Sequence, residues 1–537
     1  MLSTFTTSVL RTTLLASAVV VVQAFAPTQA TAQVTAFKQA VAETASQDRD
    51  VADFYRTQNY EPVWTGGEDA DRARRQALFQ AIAMADAHGL PAARYKADEL
   101  MAQLRAVRSH RDRGMAEVAM TQTFLRLARD MQSGALTPSK VVSDIKRVVE
   151  YRDEAQTLNA FLRANPSSFF RTLAPRTNEY TRLMKEKARL EHVIAQGGWG
   201  PAVAAKKLSP GDEGSAVVSL RNRLTAMGYL SRSASMRFDG NMQKAVQDFQ
   251  VNHGLNTDGV AGASTIKQMN VAAEDRLKSI LVALERERWF NHDRGVRHVM
   301  VNLTDFSARI YENDRQVFET RAVVGKNQGD RRSPEFSDEM DHVVINPTWN
   351  VPRSIATKEY LPMMKRNRNA AGHLKLYDRR GRQVSRANIN FSQYTAGNFP
   401  YAIKQPPSSR NALGLVKFMF PNKYNIYLHD TPAKNLFSRE VRAYSHGCIR
   451  LADPFEFAYE ILSKQEADSK AFFHSTLRTG RETRVNLEQV VPVHIIYRTA
   501  FTNAKGRAQY RDDVYGRDTR IWEALQKAGV SLGGVQG

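Results

Sequence analysis

The chain has 537 residues, several times a typical domain of roughly 150, so one compact domain is excluded and about three to four folding units are expected. Hydrophobic residues make up 42% and charged residues 24%, which excludes both a disordered chain and a membrane-embedded one. Lys and Arg number 76 against 55 Asp and Glu, a net charge of +21, so the expected partner is an anionic polymer, with nucleic acid, anionic lipid and cell wall all eligible.

Residues 1–32 read as an export signal. Arg11 supplies the positive start, Leu14 to Val22 an apolar run broken by Ser17, and Ala24-Phe25-Ala26 and Ala30-Thr31-Ala32 offer small-x-small cleavage sites. Pro27 disfavours the first, so cleavage after Ala32 and a periplasmic destination are expected. An uncleaved anchor is the alternative, opposed by a run shorter than the ~20 residues of a spanning helix. No later stretch has 18 consecutive apolar residues, so a protein peripheral to the wall rather than membrane-spanning is expected.

Residues 33–205 are expected to form a helical scaffold. Phe124, Leu127 and Met131 recur at helical spacing, and His88-Gly89-Leu90-Pro91, Gly134 and Pro138 punctuate it. Phe54, Tyr55, Tyr60 and Trp64 read as core, with sugar stacking by Trp64 as the alternative. Gly197-Gly198-Trp199-Gly200-Pro201 breaks the pattern, and residues 206–272 predict a small three-helix bundle of marginal independent stability. Val217, Leu220, Leu224 and Met227 line its first helix, Ala245 and Phe249 its second, and a third begins near Gly262 to Thr265. Gly211-Asp212, Gly228-Tyr229, Phe238-Asp239-Gly240, Phe249-Gln250, His253-Gly254-Leu255 and Asp258-Gly259 make this unit resemble a peptidoglycan-binding domain. The resemblance implies binding of wall polymer, a spacer role being the alternative, and assigns no contact residues.

A return helix is expected within 273–295, then a mainly β domain over 296–500 with strands at 298–303, 307–311, 316–324, 342–346, 483–487 and 491–499. Residues 354–404 read as a polar, basic insertion with little strand character, suited to capping a site. Residues 501–537 are expected as a C-terminal tail.

Cys448 is the sole cysteine, which excludes an intramolecular disulfide and a lipid-modified N-terminal cysteine. A lone thiol is commonly a small buried hydrophobe, but this one stands in Ser445-His446-Gly447-Cys448-Ile449-Arg450. A histidine that takes its proton makes the thiol a nucleophile. Gly447 lets backbone approach a carbonyl, and the N–H groups of Gly447 and Cys448 could stabilise an oxyanion. Arg450 could pair with a substrate carboxylate or with a neighbouring acid of the fold, while His446 reads as an orienting group rather than a base. Upstream, 424–429 reads as a strand with Tyr424, Ile426 and Leu428 on one face and Tyr427 and His429 on the other. One Cys and two His offer no zinc spacing, so no metal is expected.

His429, fifteen intervening residues and Ser445-His446-Gly447-Cys448 resemble the L,D-transpeptidase family motif. The large multidomain YcbB-like branch is similar over nearly the whole chain. The shared segments are Phe54-Tyr55 to Pro62-Val63-Trp64, Asn346-Pro347-Thr348-Trp349-Asn350-Val351-Pro352, Asn411-Ala412-Leu413-Gly414, Lys417-Phe418, Tyr427-Leu428-His429-Asp430-Thr431-Pro432 and Asp513-Val514-Tyr515-Gly516. Gln405-Pro406-Pro407-Ser408 departs from it where relatives carry a glycine. The resemblance implies an α+β multidomain protein in which Cys448 is acylated by a peptidoglycan tetrapeptide stem, D-Ala leaves, and a second stem amine closes a 3→3 cross-link. Water or a lipoprotein lysine are alternative acceptors. It implies His429 as general base and acid, Cys448, Gly447, His446 and Ser445 in the catalytic loop, and Arg450, Tyr427, Trp349 and Asn350 toward substrate. No cofactor is implied. The implied partners are stem peptides and glycan strands, with carboxypeptidases as suppliers of tetrapeptides. A wall-binding protein without catalysis is the competing class, and nucleic acid lacks a recognisable module and conflicts with export.

Overall fold

The computed structural model describes residues 29–532, so most of the expected signal segment lies outside the described residues; the expected cut after Ala32 falls in the helix Gln29–Ala45. Helices make up the N-terminal half. The longest, His110–Ser133, starts at a capping box in which Asp112 N–H donates to Ser109 Oγ (3.1 Å) and Ser109 N–H to the Asp112 carboxylate (2.9 Å). It stops at Gly134, whose φ of +89° and contacts with Glu285 and Trp289 exclude a side chain. Glu117 on this helix is fully buried and accepts from Val63 N–H (2.6 Å), Thr65 N–H (2.8 Å) and the Tyr55 hydroxyl (2.9 Å). Those bonds hold the loop that carries Trp64, which is itself fully buried and donates from Nε1 to Thr121 Oγ1 (2.8 Å). Trp64 is therefore core, and sugar stacking on it is excluded.

The bundle helices are Ser215–Ala226, Gly240–Asn252 and Ala263–Met269. Their interior, with Val217, Leu220, Leu224 and Phe249, belongs to one apolar cluster continuous with the scaffold. The unit thus shares a core and does not rest on its own marginal one. Residues beyond 500 are no tail either. A hairpin and the helix Arg517–Lys527 return to the scaffold, where Tyr510, Trp522 and Leu525 join the same cluster.

The helix Ala273–Trp289 carries four buried charges in a row, Glu285, Arg286, Glu287 and Arg288. Arg286 pairs with Glu335 (2.7 Å) and Asp518 (2.6 Å), and Glu335 also receives Arg517 (3.0 Å), so one carboxylate of the β domain ties two helices to it. Removing one member of a buried network leaves its partners desolvated and unpaired. Glu335→Ala is therefore expected to lower the unfolding free energy by about 3–5 kcal/mol, read from a denaturant midpoint. A loss below about 1 kcal/mol would contradict the role given to this carboxylate.

Fifteen strands follow in chain order: β1 Arg297–Asn302, β2 Ser307–Glu312, β3 Arg315–Gly325, β4 Phe336–Ile345, β5 Trp349–Asn350, β6 Lys375–Tyr377, β7 Gln383–Val384, β8 Ala402–Gln405, β9 Val416–Met419, β10 Leu428–His429, β11 Ala443–Ser445, β12 Ile449–Leu451, β13 Thr483–Ile496, β14 Ala500–Thr502 and β15 Ala508–Tyr510. Nine form one sheet, ordered β11-β3-β12-β10-β9-β4-β13-β1-β2, and β2 also pairs with β3, so eight strands close on themselves around a core of Val, Ile, Leu and Phe. The helix Pro454–Leu462 packs on that core through Phe457 and Ile461. No described helix is long and apolar enough to cross a membrane.

Three expectations change. The two strands at 483–487 and 491–499 are one strand, β13, whose pairing with β4 shifts register between Asn486 and Val491. The strand at 424–429 shortens to Leu428–His429. Before it, Asn425 takes a φ of +55° and the Asn422 side chain closes a turn, accepting from Tyr424 N–H (3.0 Å) and donating to Ile426 carbonyl (2.8 Å). The insertion expected to have little strand character contains β6, β7 and most of β8, which join β5 in a second sheet, β5-β8-β6-β7. It has its own core of Leu361, Met364, Leu376, Phe391, Phe399 and Ile403.

Candidate active site

Strands β10 and β12 run parallel, with Leu428 opposite Ile449 and His429 opposite Arg450. Cys448 immediately precedes β12, so this pairing brings a thiol and an imidazole 19 positions apart to adjacent strand ends. A cleft of about 700 Å³ opens there between the barrel rim and the cap. It is lined by Trp349, Asn350, Tyr427, His429, Ser445, His446, Cys448 and Arg450, eight of the nine expected site residues.

The half-buried Cys448 thiol donates to the Asn425 carbonyl (3.5 Å) and lies beside the Tyr427 hydroxyl. Burial pushes it up to about 11, against the opposing pull of Tyr427 and Arg450. His429 is buried and its Nδ1–H donates to the Asp430 carbonyl (2.5 Å), with the Leu413 carbonyl also against the ring; since a carbonyl only accepts, the neutral tautomer set by the Asp430 bond carries its lone pair on Nε2. Burial, and then the Arg450 charge, pull the imidazole down to about 3. Burial thus favours the neutral form of both the thiol and the imidazole.

The loop residues divide their work differently from expectation. Gly447 sits at φ +118°, but its N–H donates to Ser445 Oγ (3.0 Å) while its carbonyl accepts from Ser333 Oγ (2.5 Å). Ser445 Oγ in turn donates to the Cys448 carbonyl (2.6 Å). Gly447 therefore shapes the turn and offers no free donor. Among the described residues the Cys448 N–H has no acceptor, so it is the backbone donor left for an oxyanion. His446 is engaged with the cap, its Nε2 2.7 Å from Glu359, which also receives Arg331 (2.7 Å). Glu359 and Asn425 are contacts that sequence reasoning missed. Glu359 is 87 positions from its histidine partner, and Asn425 acts through a backbone carbonyl that any residue type carries.

Arg450 has no carboxylate in ion-pair reach among the described residues, and its Nε is buried without a partner. The alternative of a structural acid is thereby removed. Trp349 is mostly buried, 6.2 Å from the Tyr360 ring, and Tyr427 stands 5.6 Å from the His429 ring.

Asp430 secures the strand end behind His429 by accepting from Leu415 N–H (2.9 Å), Thr431 N–H (2.7 Å) and Lys434 Nζ (2.8 Å). Gly414 packs directly on that carboxyl at φ +63°, where an added Cβ would lie within 2.4 Å of its Cβ, Cγ and Oδ2 atoms. Gly414→Ala is expected to cost about 2–4 kcal/mol and to displace His429, seen as a lowered melting temperature with a larger loss of thiol acylation. An unchanged melting temperature would contradict this packing.

A lone thiol and a buried imidazole thus line one cleft on a closed sheet, under a cap and beside an unpaired guanidinium. Residues 296–485 match the model described as "L,D-transpeptidase catalytic domain". Residues 49–186 match a scaffold domain and 213–269 a domain described as "Putative peptidoglycan binding domain". A Haemophilus influenzae protein named "Putative L,D-transpeptidase" is 31% identical over 237 residues, 43% of this chain and 47% of that one, so the chain spans about half the length of the curated relative it matches. Crystal structures of L,D-transpeptidases from Xylanimonas cellulosilytica (14% identical, covering 55% of this chain and 100% of that one, TM-score 0.16) and Stackebrandtia nassauensis (16% identical, 55% and 97%, TM-score 0.22) also match. No conclusion rests on overlays that loose.

Proposed function

We propose that the protein is a peptidoglycan L,D-transpeptidase that works through a thioester on Cys448. The observation that carries this reading is the convergence of Cys448, His429 and unpaired Arg450 on one capped cleft. The donor stem enters with its carbonyl between the third residue, meso-diaminopimelate, and the terminal D-Ala over the thiol. As sulfur attacks, His429 Nε2 takes the thiol proton. The tetrahedral oxyanion is held by the Cys448 N–H. Collapse breaks the C–N bond, His429 returns the proton to the departing D-Ala amine, and a thioester remains. A side-chain amine of a second stem then attacks, its proton passes to His429, and the regenerated thiol takes that proton as the 3→3 amide forms. Arg450 pairs with a stem carboxylate, and Trp349, Asn350 and Tyr427 border the stem.

The positive charge favours the anionic wall, and export to the periplasm places the enzyme there. Enzymes that trim pentapeptide stems to tetrapeptides supply its donor. The test exposes purified sacculi to the enzyme and resolves the digested muropeptides by mass. New 3→3 dimers are expected. Shortened tripeptide stems alone would mean that water is the acceptor, a protein-linked muropeptide would mean tethering, and an unchanged profile would leave a wall-binding protein.

A further inference from the structure

A second cleft, of about 590 Å³, lies between the bundle, the scaffold helix Asn178–Ala195 and the β14–β15 hairpin, and shares no lining residue with the cleft at Cys448. Arg276 in its wall is 6% exposed, yet its Nη2 donates only to Gln268, at the carbonyl (3.0 Å) and Oε1 (2.8 Å). Its guanidinium lies 4.6 Å from the Tyr510 ring centroid. Among the described residues no carboxylate reaches ion-pair distance of Arg276, of Lys505 or of Arg507, whose guanidinium covers Tyr229 at 3.7 Å. The one acid lining the cleft, Glu186, is already taken by both arms of Arg189 (2.7 Å each) and by the Tyr510 hydroxyl (3.0 Å). A buried cation without a counter-ion is costly, and Arg276, with the half-buried Arg507 and the exposed Lys505 beside it, makes a concave wall that attracts an anion. Trp199, also in the wall and 8% exposed, has an indole N–H with no acceptor.

We propose that this cleft binds a stem-free stretch of the wall glycan, where the sugar carboxylate that elsewhere carries the peptide in amide linkage is free, with that carboxylate on Arg276 and Arg507 and the sugar among Trp199, Tyr229 and Tyr510. The assignment rests on the wall-polymer reading above and deepens it. The aromatic lining favours glycan over stem: Trp199, Tyr229 and Tyr510 border the cleft, and ring faces suit a sugar better than a charged peptide. A pocket of several hundred Å³ is of the right order for one disaccharide. The cleft also joins bundle, scaffold and hairpin, so a bound strand would be held by three parts of the fold at once.

The test is calorimetric titration of the full chain with the peptide-free N-acetylglucosamine–N-acetylmuramic acid disaccharide, with the same disaccharide reduced at its carboxylate, and with glycan-free stem tetrapeptide. Cys448 acylation by a carbapenem is followed in parallel. Wild type is expected to bind the acidic disaccharide, and the reduced form about tenfold or more weakly. Lys505→Glu, at an exposed hairpin position, and Arg507→Gln should each weaken binding severalfold while Cys448 acylates as in wild type. No binding by a wild type that acylates normally would overturn the proposal and leave the transpeptidase reading intact. So would binding indifferent to carboxylate reduction and to Lys505→Glu, or preference for the tetrapeptide. Binding as expected in a protein that fails to acylate would keep this site and remove the catalytic reading.

Discussion

Replacing His429 by alanine is expected to slow acylation of Cys448 near neutral pH by about a thousandfold and to change the shape of the pH profile. In the resting site the imidazole is pulled down to about 3 and the thiol pushed up to about 11, both chiefly by burial. Between those values wild type holds its base unprotonated and its nucleophile protonated, so attack coupled to proton transfer proceeds at a rate nearly independent of pH. Without the imidazole the reaction draws on free thiolate. That fraction rises roughly tenfold per pH unit as long as pH stays below the thiol's own value. The loss is of the size general-base catalysis supplies, about 10²–10⁴-fold. Stopped-flow acylation by a carbapenem across the pH range measures both effects. A variant with a flat profile, or a wild type that climbs with unit slope, would assign proton removal to some other group.

Exchanging Cys448 for alanine is expected to abolish turnover, by about 10⁴-fold or more, with the fold intact. The side chain is half-buried and small, and it makes a long contact to the Asn425 carbonyl beside Tyr427, so its loss removes little packing. Cys448→Ser is the sharper variant. It keeps the volume and the donor but raises the nucleophile's intrinsic pKa well above that of a thiol, and a buried imidazole near 3 is too weak a base to compensate. Muropeptide production by both variants, alongside unchanged melting temperatures, measures this. Activity in the serine variant within about tenfold of wild type would show that sulfur is not required.

Much of this site was legible because its residues lie close together along the chain. The motif Ser445-His446-Gly447-Cys448 occupies four consecutive positions, and one parallel strand pair brings His429 alongside it. The alternation read at 424–429 placed Leu428 in the barrel core and turned Tyr427 and His429 to the cleft, but Tyr424 and Ile426, read on the core face, also line the cleft, because the strand is only two residues long and the chain turns at Asn425 before it. Features built from distant or backbone groups were not legible. The Ser445 hydroxyl occupies the Gly447 N–H, which no residue identity announces. Glu359 meets His446 only because the cap folds over the rim. The cap's sheet escaped notice because strands of two to four residues are too short to show a period of two. The tail looked like a tail because Tyr510, Trp522 and Leu525 find their partners more than 200 residues upstream, in the scaffold and the bundle.

The most direct trial of the account is to mix the enzyme with a tetrapeptide donor lacking an acceptor, quench in acid and take the intact mass, then map the label by peptide. The account predicts a gain equal to the donor less its terminal D-Ala, carried by the peptide that contains Cys448 and lost on treatment with hydroxylamine. A chain that releases D-Ala with no such adduct, or that carries it on another residue, would contradict it.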